Sequence, residues 1–267
     1  MTQVMNFSII IPAHNEEDSL KRTISSLENT LSATEALASA ADLMVGDYDF
    51  EIVIVNDHST DKTVSTVQEL MKKYSNIKLL HNLGRRGFAS TLIAGFRQAK
   101  GEFLVPLMAD GCDDPDTVRK MYKKTEEGYD LICASRYTKG GKRIGGPKPK
   151  GFFSEFVGKS LHFFIRIPTT DIANAFKLYR RSTLEKIKIG NSDFAISMEI
   201  ALKMYYQGFR IAEVPTCWKG RKQGKSKFQI LKIAPIYLKW YLWALYKYLI
   251  RKKEPVLFVP YSEKHNG

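Results

Sequence analysis

Four carboxylates crowd the end of an apolar run, Asp110, Asp113, Asp114 and Asp116 in FLVPLMADGCDDPD, Phe103 to Asp116. The apolar start reads as a buried strand, and open α/β sheets bind ligands where their strands run out. Asp110 stands at that point. Asp113 and Asp114 have a second reading, since Asp-Asp-Pro is a good helix start, and Asp114 before Pro115 is expected to cap the next helix. Two other strand ends are equally polar, PAHNEE after the first strand and VNDHSTDKT after the second. Carboxylates and amides gathered at one sheet edge suit hydrogen bonding to a base and ribose. They also suit a divalent cation held against a diphosphate.

The elements that must position these groups alternate in kind. FSIII, FEIVIV, NIKLLHN and GEFLVPL read as strands, and EEDSLKRTISSLENTL, STDKTVSTVQELMKKY and GFASTLIAGFRQAK as the helices between them. Ser59, Thr60 or Asp61 is expected to cap the second helix. The alternation predicts an α/β fold with a mainly parallel central sheet flanked by helices and wound by right-handed crossovers. Residues 32 to 49 read as an extended, partly helical connection. The first strand lacks the glycines that a dinucleotide fold needs behind it, and no triphosphate-binding glycine loop occurs.

A 267-residue chain with 44% apolar residues can build a large core, and a formal charge of +13 favours anionic partners. Nucleic acid is not the expected one. The basic residues concentrate after residue 138, whereas the strand ends are acidic and would repel a polyphosphate that came without a metal. Three scattered cysteines suggest neither a disulfide framework nor a zinc site and point to a reducing cytosol. The N-terminus reads as a first strand rather than a signal peptide, and no run of about 18 uncharged apolar residues marks a membrane span. Two stretches nevertheless suggest lipid contact. KGGKRIGGPKPKGFF, Lys139 to Phe153, reads as a mobile basic loop over phosphates or headgroups. ILKIAPIYLKWYLWALYKYLIRKK sets Lys232, Lys239 and Lys247 among Trp240, Trp243 and tyrosines, as an amphipathic helix at the headgroup boundary does. The expected division is a catalytic domain over 1–230 and a membrane-associated amphipathic helix and tail over 231–267, peripheral on the cytoplasmic face.

SIIIPAHNEEDSL, EIVIVNDHSTDKT, NLGRRGFASTLIAGFRQAKGEFLVPLMADGCDDPD, CASRY, DIANAFKLYRR and GRKQGKSKF, in that order and spacing, resemble a family 2 glycosyltransferase of the GT-A fold. Within it the chain is most similar to the dolichyl-phosphate mannose synthase-like, polyprenyl-phosphate sugar transferase group. The resemblance implies a nucleotide-sugar donor held by Pro12, His14, Glu16, Asp57 and Asp110. It also implies Mg2+ or Mn2+ on Asp110 and a catalytic site of Asp110, Arg136, Glu199, Arg221 and Lys227. The expected reaction is inverting transfer of a hexose to a polyprenyl (dolichyl or undecaprenyl) phosphate, which needs no general base. A saccharide hydroxyl acceptor is the alternative, and it would make Glu199 an essential base. The sequence departs from the family's Asp-x-Asp pattern: Met108 replaces the first Asp and Cys112 follows two residues after Asp110. Neither is a ligand for a hard cation, so metal binding rests on Asp110, with Asp113 as the nearest further carboxylate in sequence.

Overall fold

A computed structural model describes residues 5–32, 48–190, 192–221 and 230–251. Strand β1 (Phe7–Ala13) pairs in parallel with β2 (Phe50–Asn56) and β4 (Phe103–Pro106), and β2 with β3 (Ile77–His81). Helices α1 (Glu17–Leu31), α2 (Thr63–Lys73) and α3 (Phe88–Gln98) make the crossovers, as the alternation predicts. After α4 (Asp116–Thr125) comes β5 (Leu131–Ser135), and the sheet closes in the order β3-β2-β1-β4-β7-β5-β8. In that sheet β7 (Lys177–Arg180) alone runs antiparallel, wedged between β4 and β5, while β8 (Ile211–Pro215) is parallel to β5. The one-turn α6 (Arg181–Leu184) follows β7, and α7 (Ile196–Tyr206) precedes β8.

Apolar cores cover both faces of the sheet. Ile9, Ile11, Ile52 and Ile54 meet Leu20, Ile24 and Leu27 of α1 and Val67 of α2 on one side. Ile10, Val53 and Val55 meet Leu92 and Phe96 of α3 on the other, where Leu161, Met198 and Trp240 join the cluster. The run of isoleucines and valines in β1 and β2 follows from this, because a strand covered on both faces has no polar side to show.

The expected mobile loop over Lys139 to Phe153 is replaced by structure. A short strand β6 (Lys142–Ile144) pairs in parallel with β9 (Cys217–Lys219), and helix α5 (Lys148–Ile165) begins at the basic KPK. Pro149 is tolerated there because the first turn has no intrahelical use for its missing N–H. Gly151, Gly158, Leu161 and Ile165 turn inward, which leaves Phe152, Phe153, Phe156, Phe163 and Phe164 exposed. The last helix, α8 (Ile230–Arg251), packs on α5 and α7. Its Trp240 corrects an expectation. The indole is only 7% exposed and donates to the Ser192 hydroxyl at 2.9 Å, facing the domain instead of headgroups. Trp243 is partly buried and stacks edge-on against Tyr206. Among the described residues no helix is long and apolar enough to cross a membrane.

Helix α5 approaches the chain at Thr170 so closely that a Cβ on Gly158 would collide with the Thr170 carbonyl. Gly158→Ala is therefore expected to cost about 1–3 kcal/mol, the range for overpacking a close contact. Urea denaturation checks this, and an unchanged midpoint would show that α5 can shift freely.

Candidate functional site

The parallel strands end on one edge, and two of their loops are fastened to each other there. Asn15, after β1, adopts a left-handed backbone at φ 53°, a conformation that Asn tolerates better than most residues. Its side-chain oxygen accepts the Thr60 N–H at 2.8 Å, and its amide donates to the Thr60 hydroxyl at 3.3 Å. The Glu16 N–H donates to the Thr63 hydroxyl at 2.9 Å. The N-cap of α2 is Lys62, one residue past the expected candidates, and Asp61 before it accepts the Thr63 N–H at 2.9 Å and the Glu17 N–H at 3.2 Å. Local polar bonds thus hold His14, Glu16 and Asp57 at fixed positions around a cavity of about 1400 Å³.

Asp57 is nearly buried. Its carboxylate accepts the Asn82 amide at 2.8 Å and the Gly87 N–H at 3.1 Å, and both oxygens keep lone pairs for a ligand. The Asp57 backbone carbonyl accepts from His14 Nδ1 at 2.7 Å. Asp110 lies in the loop after β4, with one oxygen on the Cys112 N–H at 3.0 Å and the other on Arg221 Nε at 2.8 Å. Arg221 also lies 3.7 Å from Glu16, so a single guanidinium bridges two carboxylates from different strand ends. It is brought there by β9, since the Lys219 N–H donates to the Cys112 carbonyl at 2.9 Å and the Gly220 N–H to the Ile144 carbonyl at 2.8 Å. The N-cap of α4 is Pro115 and not the expected Asp114, which stands before it and accepts the Asp116 N–H at 3.3 Å.

Arg136 follows β5 and is pinned by the fully buried Asp171. Nε and a terminal nitrogen donate to the two carboxylate oxygens at 2.7 and 2.8 Å, and the same terminal nitrogen also donates to Ser154 on α5 at 2.8 Å. Burial alone would lower its proton affinity, but the Asp171 carboxylate outweighs that and secures the charge. Lys150, also on the cavity wall, is held below the usual lysine range by partial burial and then by repulsion from Arg221.

Pro12, His14, Glu16, Asp57, Asp110, Arg136 and Arg221 all line this cavity. Glu199 does not. It is fully buried beneath the wall, accepting the Gly190 N–H at 2.6 Å, the Ser192 hydroxyl and the Lys203 ammonium, so it faces no acceptor space. Lys227 lies outside the described residues. Arg86 and Ser154 reach the cavity without a role expected from the sequence, while Arg143 and Lys150 reach it from the basic stretch expected over phosphates or headgroups. The signal for Arg86 is the paired arginines of NLGRRG.

Among the described residues no cluster of three or more His, Cys, Asp or Glu could hold a metal by itself. Asp110 and the neighbouring Glu16 are hard oxygen donors all the same, and a Mg2+-type ion commonly takes one or two carboxylates, completing its shell with phosphate and water. The residues present fit such an ion when a diphosphate comes with it.

Residues 8–188 match the family described as Glycosyl transferase family 2. The chain belongs to that family. It is 30% identical over 231 residues to a dolichol-phosphate mannosyltransferase of Pyrococcus furiosus, a match covering 84% of this chain and 60% of that protein. It is 25% identical over 226 residues to a polyprenol monophosphomannose synthase of Mycolicibacterium smegmatis, covering 82% of this chain and 79% of the relative. The GT-A fold is shared with TarS 1–349 of S. aureus crystallised with UDP-GlcNAc (TM-score 0.62, 18% identity, 92% of this chain and 72% of that one). It is also shared with glucosyl-3-phosphoglycerate synthase of Mycobacterium tuberculosis crystallised with Mn2+, UDP and glucosyl-3-phosphoglycerate (TM-score 0.62, 16% identity, 95% and 82%).

Beneath Asp110 the Asp113 carboxyl is buried, with a long 3.5 Å bond from the Met108 N–H, and burial followed by the Asp110 charge pushes it up to about 7 from 3.8. A carboxyl raised in the folded state favours folding while protonated. That contribution is fully present below about pH 4 and is lost as pH rises through about 7. Asp113→Asn, neutral throughout, is expected to unfold at a higher temperature than the wild type at pH 8 with metal chelated. The gap should close towards pH 4, and a gap independent of pH would contradict the assignment.

Proposed function

We propose that the chain transfers a hexosyl group, with inversion, from a nucleoside-diphosphate sugar to a polyprenyl phosphate at a membrane surface. One observation carries this reading: a single cavity runs from the strand-end carboxylates, past Arg136, Lys150 and Arg221, to an apolar groove between α5 and α8. Phe153, Phe156, Val157, Ile233, Leu238 and Tyr241 line that groove. Carboxylates suit a base and ribose, clustered cations suit phosphates, and aromatic and aliphatic walls suit a prenyl chain. The relatives named for dolichol and polyprenol phosphate acceptors support the same acceptor class.

Asp57 takes a base N–H and Glu16 the ribose hydroxyls. The donor diphosphate lies between Asp110 and Arg221, whose guanidinium can turn from carboxylate to phosphate without leaving the cavity. Asp110 would hold a Mg2+ or Mn2+ ion, which would supply charge neutralisation for the leaving diphosphate, and a neighbour of the same fold is crystallised with Mn2+ and UDP. Arg136, fixed by Asp171, and Lys150 with Ser154 hold the acceptor phosphate in line with the anomeric carbon. One phosphate oxygen forms the new bond to that carbon as the bond to the diphosphate breaks, and the electron pair departs onto the β-phosphate oxygen. An anionic nucleophile has no proton to give up, so no base is required, in keeping with the burial of Glu199 away from the cavity. A hydroxyl acceptor would need one, and Asp193, which lines the cavity, is then the carboxylate in place.

Incubation with UDP-, GDP- and dTDP-sugars plus polyprenyl phosphate, followed by mass spectrometry, should yield one glycosyl phosphoryl lipid. Asp110→Ala should abolish it in a folded protein, and Lys150→Ala should raise the acceptor KM with less effect on the donor. Product formed only on saccharides, with Asp193→Asn inactive, would transfer the proposal to the hydroxyl reading.

The membrane contact moves from the tryptophans of α8 to the phenylalanines of α5. Phe152, Phe156 and Phe163 of α5 are 67%, 58% and 76% exposed, α8 packs on that helix and exposes Leu238 and Leu242, and Lys148, Lys159 and Lys239 are exposed on the same two helices. Binding to anionic liposomes is expected to fall at least ten-fold when these three phenylalanines become serine, and to weaken at high salt. Trp240→Ala should instead lower thermal stability. Unchanged liposome binding by the triple variant would remove this face as the contact.

A further inference from the structure

Lys177 on β7 is fully buried, stem and amine alike. Lysine is almost never buried whole unless it is paired. Here Nζ donates to two backbone carbonyls, Ile172 at 2.9 Å and Asn174, and burial holds it below the usual lysine range. Both carbonyls belong to the segment between Asp171 and β7. That segment is tied further by the Asn174 N–H on the Asp171 carbonyl at 3.2 Å and by the Asn174 amide on the Ala134 carbonyl of β5 at 2.8 Å.

A trans peptide points its N–H away from its C=O, and both peptides concerned are trans. With the Ile172 and Asn174 carbonyls drawn onto one buried amine, the N–H groups of Ala173 and Ala175 face the opposite way. Ala173, Asn174 and Ala175 line the cavity, and the two alanines are half-buried, whereas Ile172, Phe176 and Lys177 are fully buried. Among the described residues neither alanine N–H has a hydrogen-bond partner. Such groups take their bonds from solvent or from a ligand, and a methyl side chain covers neither of them. The segment starts at Asp171, which fixes Arg136 on the same cavity wall. Backbone N–H groups presented together beside a cation make an anion site.

We propose that the Ala173 and Ala175 N–H groups bind a phosphate oxygen of the acceptor's monoester next to Arg136, and that Lys177 is the positioning residue that aims them. The inference rests on the phosphate-acceptor reading above. The donor diphosphate is placed at Asp110 and Arg221, whereas the cation that this segment holds is Arg136, on the acceptor side. A monoester dianion has lone pairs enough for the guanidinium and two backbone donors. Donors fixed in the main chain do not swing, so they help to hold the attacking oxygen in line.

The full chain labelled with 15N-alanine, its two signals assigned through Ala173→Ser and Ala175→Ser, is titrated with citronellyl phosphate, a short prenyl monophosphate. A second titration uses UDP or GDP with Mg2+. Both amide protons are expected to move downfield with the monophosphate, as protons do on gaining a charged acceptor. Lys177→Met keeps the buried bulk but cannot donate. It should lose these shifts and raise the KM for polyprenyl phosphate about ten-fold or more, with the donor KM within about two-fold of the wild type. Circular dichroism verifies that the variant folds, and if it does not, the wild-type titration decides alone. A folded Lys177→Met that is less stable but keeps its acceptor KM overturns the positioning role. Amides that stay still while other alanine signals respond to citronellyl phosphate, or that move with the nucleotide only, overturn the site and leave the acceptor reading intact. No response of any alanine signal, with no turnover of polyprenyl phosphate, overturns the acceptor reading and this inference with it.

Discussion

Carboxylates gathered at the edge of a sheet repel one another, and in this protein a guanidinium relieves the repulsion. Arg221 sits 2.8 Å from Asp110 and 3.7 Å from Glu16, joining the ends of β4 and β1 through a residue that follows β9. The charge balance depends on β9 being where it is, and β9 in turn depends on its pairing with β6 and its bond to the Cys112 carbonyl. Partly buried charges interact more strongly than exposed ones, so the pair organises its surroundings well beyond what a surface ion pair could. Replacing one Asp of the family's pattern by Met108 lowers the negative charge to be balanced, and one guanidinium bridges the two carboxylates beside it.

Positioning elsewhere follows the same economy of short polar bonds on a rigid frame. Asn15 and Thr60 exchange two hydrogen bonds, Asp61 accepts the Glu17 N–H and Glu17 accepts the Lys62 N–H, so that two loops behave as one body. Arg136 owes its placement to Asp171, and Asp171 to the tight passage of the chain beside Gly158 of α5. The cavity wall is consequently specified by residues that never touch its contents.

The strand ends were legible in the sequence because each motif lies within a few residues of the strand that presents it. FSIII, FEIVIV and GEFLVPL carry their own evidence of burial, and the polar residues after them need no distant partner to be placed. Strand β7 was not legible: its antiparallel entry between β4 and β5 is decided by pairing across the chain, and KLYR is too short to show a period. The β6 and β9 pair joins Lys142 to Cys217, a contact that neither segment announces. Lys139 to Phe153 looked like a loop because glycine and lysine dominate it, yet the inward spacing of Gly151, Gly158, Leu161 and Ile165 becomes a helix once Thr170 receives Gly158. The surroundings of Trp240 and Glu199 differ from those the sequence suggests for a common reason. An aromatic in a basic helix and a carboxylate in an apolar one each fit two faces, and only packing selects between them.

That packing joins the two misplaced residues in one assembly. The Ser192 hydroxyl donates to Glu199 and accepts from Trp240, while Lys203 reaches Glu199 and stands 5.1 Å over the Trp240 ring. Tyr237, one turn earlier on α8, donates to the Phe194 carbonyl at 2.8 Å. The helix that carries Leu238 and Leu242 is thereby bolted at two points to the segment that presents Asp193 and Phe194 to the cavity. A tilt of α8 cannot be absorbed locally. It is passed on to that segment, so the exposed apolar face of α8 and the cavity wall at Asp193 and Phe194 share one mechanical degree of freedom.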